Sequence, residues 1–104
     1  MALYTSLNAA TATGAGSAFF LGTDGASSHS VQVTHTGSPT AVIVTAEGSL
    51  DGSNYFVLAT WDEASVNSGD IVFTADKVVN YVRANLTTLT GGTSPTVTAT
   101  ISAI

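Results

Sequence analysis

Two stretches of this chain alternate too strictly to be helices. His29 to Thr36 (HSVQVTHT) places Val31 and Val33 on one side and Ser30, Gln32 and Thr34 on the other. Pro95 to Ile104 (PTVTATISAI) does the same with Val97, Ala99, Ile101 and Ala103 against Thr and Ser. A period of two lines up every second side chain on one face of a strand, whereas a helical period would scatter them round a cylinder. The polar half of the alternation is made of hydroxyls, and Thr, being β-branched, fits a pleated, half-wet surface. The chain must therefore bury one face of each strand and present the other, hydroxyl-clad, to water.

The remaining segments fit that frame. Thr40 to Glu47 carries Val42 and Val44 on one face and Ala41 and Ile43 on the other, which predicts a central or covered strand. Asp51-Gly52 comes next, a dipeptide that tolerates the positive φ of a tight hairpin, so Glu47 to Leu58 (EGSLDGSNYFVL) predicts two strands joined by a short reversal. Asn54 to Trp61 is the strand that supplies large side chains to a small core. Ile71 to Phe73 is a short strand, and Val78 to Leu89 alternates with Val78, Val82, Ala84 and Leu86 facing inward. Gly91-Gly92 predicts a second hairpin loop before the last strand. Short strands at this spacing, punctuated by turns, predict an all-β fold: an antiparallel β-sandwich, jelly-roll or Ig-like, of about six to eight strands.

Length and charge narrow the rest. At 104 residues the chain holds one core. Apolar residues make up 44% and charged residues 9%, with Lys77 and Arg83 set against seven carboxylates for a net charge of −5. Two cations cannot supply the patch that a phosphate backbone demands, so no nucleic acid partner is expected. There is no cysteine, hence no disulfide or thiolate metal site. No stretch approaches the roughly 20 apolar residues of a membrane-spanning helix, and no membrane partner is expected. The N-terminal residues carry no basic segment leading into an apolar core, which predicts synthesis in the cytoplasm without export by the general secretory route.

Residues 1–28 differ from the rest of the chain. They are rich in Ala, Ser, Thr and Gly and sustain neither period, so the chain divides into an extended N-terminal arm, 1–28, and a β-sandwich domain, 29–104. Two apolar clusters interrupt the arm, Leu3, Tyr4 and Leu7, then Phe19, Phe20 and Leu21. Each needs something to bury against. One reading is a strand pairing to the sandwich edge; the other is a segment packing on a neighbouring subunit.

Candidate chemistry is sparse. His29 and His35 share one face of a strand but stand ~20 Å apart at strand rise, too far for one metal, and read as surface or edge histidines. Asp51, Ser53 and Asn54 offer oxygens, yet turn chemistry accounts for Asp51. Asp62, Glu63 and Asp70 form an acidic loop that reads as solvated, with Ca²⁺ as the competing reading. No nucleophile elbow or triad pattern is present, and the chain is expected to be no enzyme, with no cofactor and no metal. Arg83, the only arginine, has two readings: an intramolecular salt bridge or stacking on Tyr81 or Tyr55, or an intersubunit pair with a carboxylate such as Glu47 or Asp51.

The combination GSLDGSNYFVL, VVNYVRANLTTLTGG and SPTVTATISA, spanning roughly residues 40 to 104, resembles small bacteriophage virion proteins with an S-x-DG hairpin and an aromatic-VRAN strand. The same two-part pattern resembles discoidin-like carbohydrate-binding sandwiches, from which the chain departs in having Tyr55 for Trp and in lacking cysteines. The phage resemblance implies a capsid decoration or cement protein on the virion surface, often trimeric, with the major capsid protein as partner. Leu3, Tyr4, Leu7, Phe19, Phe20, Leu21 and Arg83 are then the expected interface residues. The alternative is a glycan-binding module of a tail or fibre, with Tyr55, Trp61 and Tyr81 as stacking platforms.

Overall fold

The computed structural model describes residues 2–74 and 77–104. Nine strands run in the order β1 (Ala2–Ala10), β2 (Gly14–Ala15), β3 (Phe19–Phe20), β4 (His29–Thr36), β5 (Ala41–Ser49), β6 (Phe56–Asp62), β7 (Ile71–Thr74), β8 (Tyr81–Thr90) and β9 (Thr96–Ala103). They form two antiparallel sheets, with no helix among the described residues. Sheet A has the order β1-β9-β4-β7. Sheet B has β2 and β3 sharing the flank of β8, then β5 and β6.

That order defines the sandwich. Nine strands with β2 and β3 in one place leave eight positions. The first pairs with the last (β1 with β9), the second with the seventh (β2 and β3 with β8), the third with the sixth (β4 with β7) and the fourth with the fifth (β5 with β6). A chain that pairs in this way is one long hairpin rolled into two sheets, which is jelly-roll topology. The predicted all-β sandwich is thus the fold, of the jelly-roll kind.

Between the sheets lies a core built from the alternation. Val31, Val33, Val97, Ala99 and Ile101 come from sheet A, and Val42, Val44, Ala46, Val82, Ala84 and Leu86 from sheet B. Trp61 fills the end of the core with no exposed surface. The inward set of β8 is Val82, Ala84 and Leu86; ahead of the strand Val79, bridged to Ala26, is buried, while Val78, expected inward, is exposed.

Three local expectations change. Residues 2–20 are strands of the sandwich: β1 lies along β9, and β2 and β3 lie along β8, so of the two readings of this segment the chain takes the pairing one. Its period is hidden because β1 shifts register twice, between Thr5 and Leu7 and between Leu7 and Ala10, and each bulge resets the alternation. Gly91-Gly92 is no hairpin, because β8 and β9 lie in different sheets; the loop arches across the sandwich, packed against the other crossing at Gly37. A Cβ on Gly37 would stand 2.5 Å from the Thr93 carbonyl oxygen, and its φ of +82° suits glycine alone. Lastly, the Asp51-Gly52 reversal does join β5 to β6, but across residues 50–55, and past a bulge opposite Ala46 and Glu47 both Phe56 and Val57 are exposed, leaving Leu58 and Trp61 as the core residues of β6.

Candidate functional site

The outer face of sheet B carries the densest polar network. Alternation in β8 places Tyr81, Arg83 and Asn85 on that face, and the register sets Arg83 opposite Glu47 and Asn85 opposite Thr45 of β5. Arg83 Nε donates to Glu47 Oε1 at 2.8 Å. Asn85 Nδ2 and Thr45 Oγ1 donate to Glu47 Oε2 at 3.1 and 3.2 Å. Three donors on one carboxylate compensate its burial, for Glu47 is only 8% exposed. The Tyr55 ring lies 3.9 Å from the guanidinium carbon and fixes the plane of the arginine. Only Nε is engaged by Glu47, so the fork is held from one side, with the side chain 29% exposed.

Beside this network the chain builds a polar hinge and an aromatic pair. Buried Ser49 receives the Gly52 and Asp51 amides at 2.9 and 3.2 Å and donates to Asp51 Oδ1. The amides of Asn54 and Ser53, then the Asn54 side chain and Ser49, converge on Asp51 and hold its carboxyl well below the usual carboxylate range. The Tyr81 ring packs over Gly52, where a Cβ would meet it at 3.1 Å, and Phe20 lies against Tyr81 with ring centroids 5.1 Å apart. The surface therefore offers a fixed guanidinium edge flanked by aromatic and apolar groups.

The expected interface residues divide among three places. Leu3 stands exposed on the outer face of sheet A, and Phe20 on that of sheet B. Leu7 is a core residue, and Tyr4 and Phe19 stack on one another at 4.6 Å while packing, with Leu21, against the core. Arg83 makes its ion pair and its ring contact within the chain, which is the first of its two readings. Asn85 and Thr45, which complete the Glu47 site, are not among the residues expected from sequence. A signal for them exists: Arg83 and Asn85 are two apart in one strand, as are Thr45 and Glu47 in its partner.

Other candidates resolve into structural parts. His29 and His35 face inward in β4 and are not the surface groups expected. His29 is buried, with Nε2 at 2.9 Å from the Ala26 carbonyl, and burial pushes its pKa below the ordinary value against the smaller opposing effect of that contact. His35 lies edge-on to Trp61, ring centroids 6.1 Å apart. In the acidic loop, Asp62 and Asp70 accept the amides of Ala64 and Asn67, capping turns. Trp61, a sugar platform in the glycan-binding alternative, is fully buried and donates its indole N–H to the Asp70 carbonyl.

No family model and no curated protein matches this chain. Among solved structures it is similar to the SPBc2 prophage-derived protein YomS, with a TM-score of 0.65 and 17% sequence identity, over 97% of this chain and 92% of that one. At that identity the likeness is one of fold, and at 97% coverage it takes in most of the first 28 residues as well as the segment after them.

Proposed function

We propose that this chain is a virion structural protein, a decoration or cement protein that stabilises a bacteriophage head by contacts with the major capsid protein at the capsid surface. The observation that carries the reading is the amount of large apolar surface left uncovered. Among the described residues, Leu3, Phe20, Leu50, Phe56, Val57, Ile71, Phe73, Val78 and Ile104 are all exposed. Single exposed apolar residues are ordinary, but this density on a small chain with few charges suits a subunit covered by neighbours. The resemblance of residues 40 to 104 to phage virion proteins, and a fold shared with a prophage-derived protein, support the same reading.

The face assigned to the capsid is that of sheet B, where Phe20 and Val57 flank the Arg83 network. The glycan-binding alternative is weaker, since Trp61 is enclosed and one face of Tyr55 is occupied by Arg83. Co-sedimentation of the purified protein with capsids lacking it tests the proposal. Wild-type protein is expected to pellet with the capsids, and the pair Phe20→Asp and Val57→Asp to stay in solution with an unchanged thermal melt. Wild-type protein that never pellets would end the reading.

A further inference from the structure

The charges of this chain are confined to one side of its sequence pattern. Asp24, Glu47, Asp51, Asp62, Glu63, Asp70, Asp76, Lys77 and Arg83 all fall outside β1, β4, β7 and β9, so the four strands of sheet A contain no Asp, Glu, Lys or Arg. For a molecule of net charge −5, the outer face of sheet A is where a second copy meets least repulsion.

The register arranges that face in rows. One row across the sheet reads Leu3, Ser102, Ser30, Phe73, and the next reads Thr5, Thr100, Gln32, Ile71. Apolar walls thus stand at the two edges, Leu3 on β1 and Ile71 with Phe73 on β7, and hydroxyl and amide groups make the floor between them. Phe73 is 75% exposed, Leu3 70% and Ile71 58%. A cleft of about 90 Å³ lies between the walls, lined by Leu3, Ser30, Gln32, Ile71, Thr100 and Ser102.

We propose that the outer face of sheet A is a two-fold interface between copies of this chain. A two-fold axis along the strands, between β9 and β4, reverses the strand order of the second copy. It brings β1 of one copy over β7 of the other. Leu3 then meets the partner's Phe73 and Ser102 meets the partner's Ser30, so that apolar edge covers apolar edge and polar floor faces polar floor, twice over. That is the self-complementarity an isologous pair requires, in the aligned packing that two sheets adopt face to face. The area is small: strands of 9, 8, 8 and 4 residues at ~4.8 Å spacing and ~3.3 Å rise give roughly 460 Å² per copy. The sum, about 900 Å², is that of a weak, reversible pair, one that dissociates on dilution. The pair takes the place of the trimer implied by the phage resemblance, and it stands or falls without reference to a capsid.

Sedimentation equilibrium of the full chain, with no capsid present, tests it. The expected result is a two-copy mass that dissociates on dilution. Phe73→Glu and Thr100→Glu, each placing two carboxylates in one interface, should weaken association by about tenfold or more, while Thr60→Glu, exposed on β6 of the other sheet, should leave it unchanged. Phe73 is so exposed that its replacement tests the contact and not the fold, and thermal melts of all three variants check this. A single-copy mass at every concentration, a three-copy mass, a pair indifferent to both Phe73→Glu and Thr100→Glu, or equal weakening by Thr60→Glu would each overturn the proposal.

Discussion

Glu47 shows how a residue that looks like a solvated charge becomes structural. It sits in a covered strand, and its carboxylate collects Arg83, Asn85 and Thr45. Glu47→Ala would leave those donors without their acceptor, and a loss of about 1–3 kcal/mol is expected in urea unfolding. Glu47→Gln, which keeps an acceptor but not the charge, should cost less. His29 supplies the pH dependence. Its folded pKa lies below the ordinary value of about 6.5, so the unfolded chain takes up the proton first. Its contribution is therefore intact above about pH 6.5 and is lost as the pH falls toward the depressed folded pKa. Melting temperature should drop between pH 7 and pH 5, and the drop should shrink in a His29→Asn variant. Neither role is legible from the residues themselves: Glu47 reads only as a partner that Arg83 could find in another subunit, and alternation gives the inward face of β4 without the depth at which its ends are buried.

At the level of elements, the connection that matters most runs between the sheets at Ser6. The bulge in β1 turns Ser6 toward sheet B, where its hydroxyl accepts the Ala84 amide at 2.8 Å and donates to the Ser17 carbonyl at 2.7 Å. The backbone does the same, with the Ser17 amide on the Ser6 carbonyl and the Gly16 amide on the Ala84 carbonyl of β8. Gly16 permits this approach, since a Cβ there would collide with the Ser6 carbonyl. Ser6→Ala is expected to cost about 1–3 kcal/mol and to raise amide exchange at Ala84 before the rest of β8. Gly16→Ala should loosen β2 as a whole, seen in the same exchange experiment. No pattern announces such a contact, because Ser and Gly in an Ala-rich segment read as loop and the bulge erases the strand period.

For the whole molecule, the first strands close the roll. Deleting residues 1–21 removes Leu7 from the core, withdraws Tyr4, Phe19 and Leu21 from its rim, and strips β8 and β9 of their outer neighbours. The truncated chain is expected to lose its cooperative thermal transition, monitored by circular dichroism, so these residues cannot be tested as a detachable arm. The strands from His29 onward and their inward residues Val31, Val33, Val82, Ala84, Leu86, Val97, Ala99 and Ile101 come from alternation, because a period of two assigns each side chain a face wherever the strand is regular. What alternation cannot state is which sheet a strand joins. Gly91-Gly92 looks like a hairpin turn and, like the loop at Gly37, is a crossing, and β1 looks irregular and is an edge strand. Sheet membership, the exposure of Phe56 and Val57, and the gathering of the four uncharged strands β1, β4, β7 and β9 into sheet A depend on contacts between residues far apart in the chain. Local sequence determined the strands from His29 onward and most of their buried faces; only the tertiary pairing decided the place of the first three strands and which surfaces this protein presents to a neighbour.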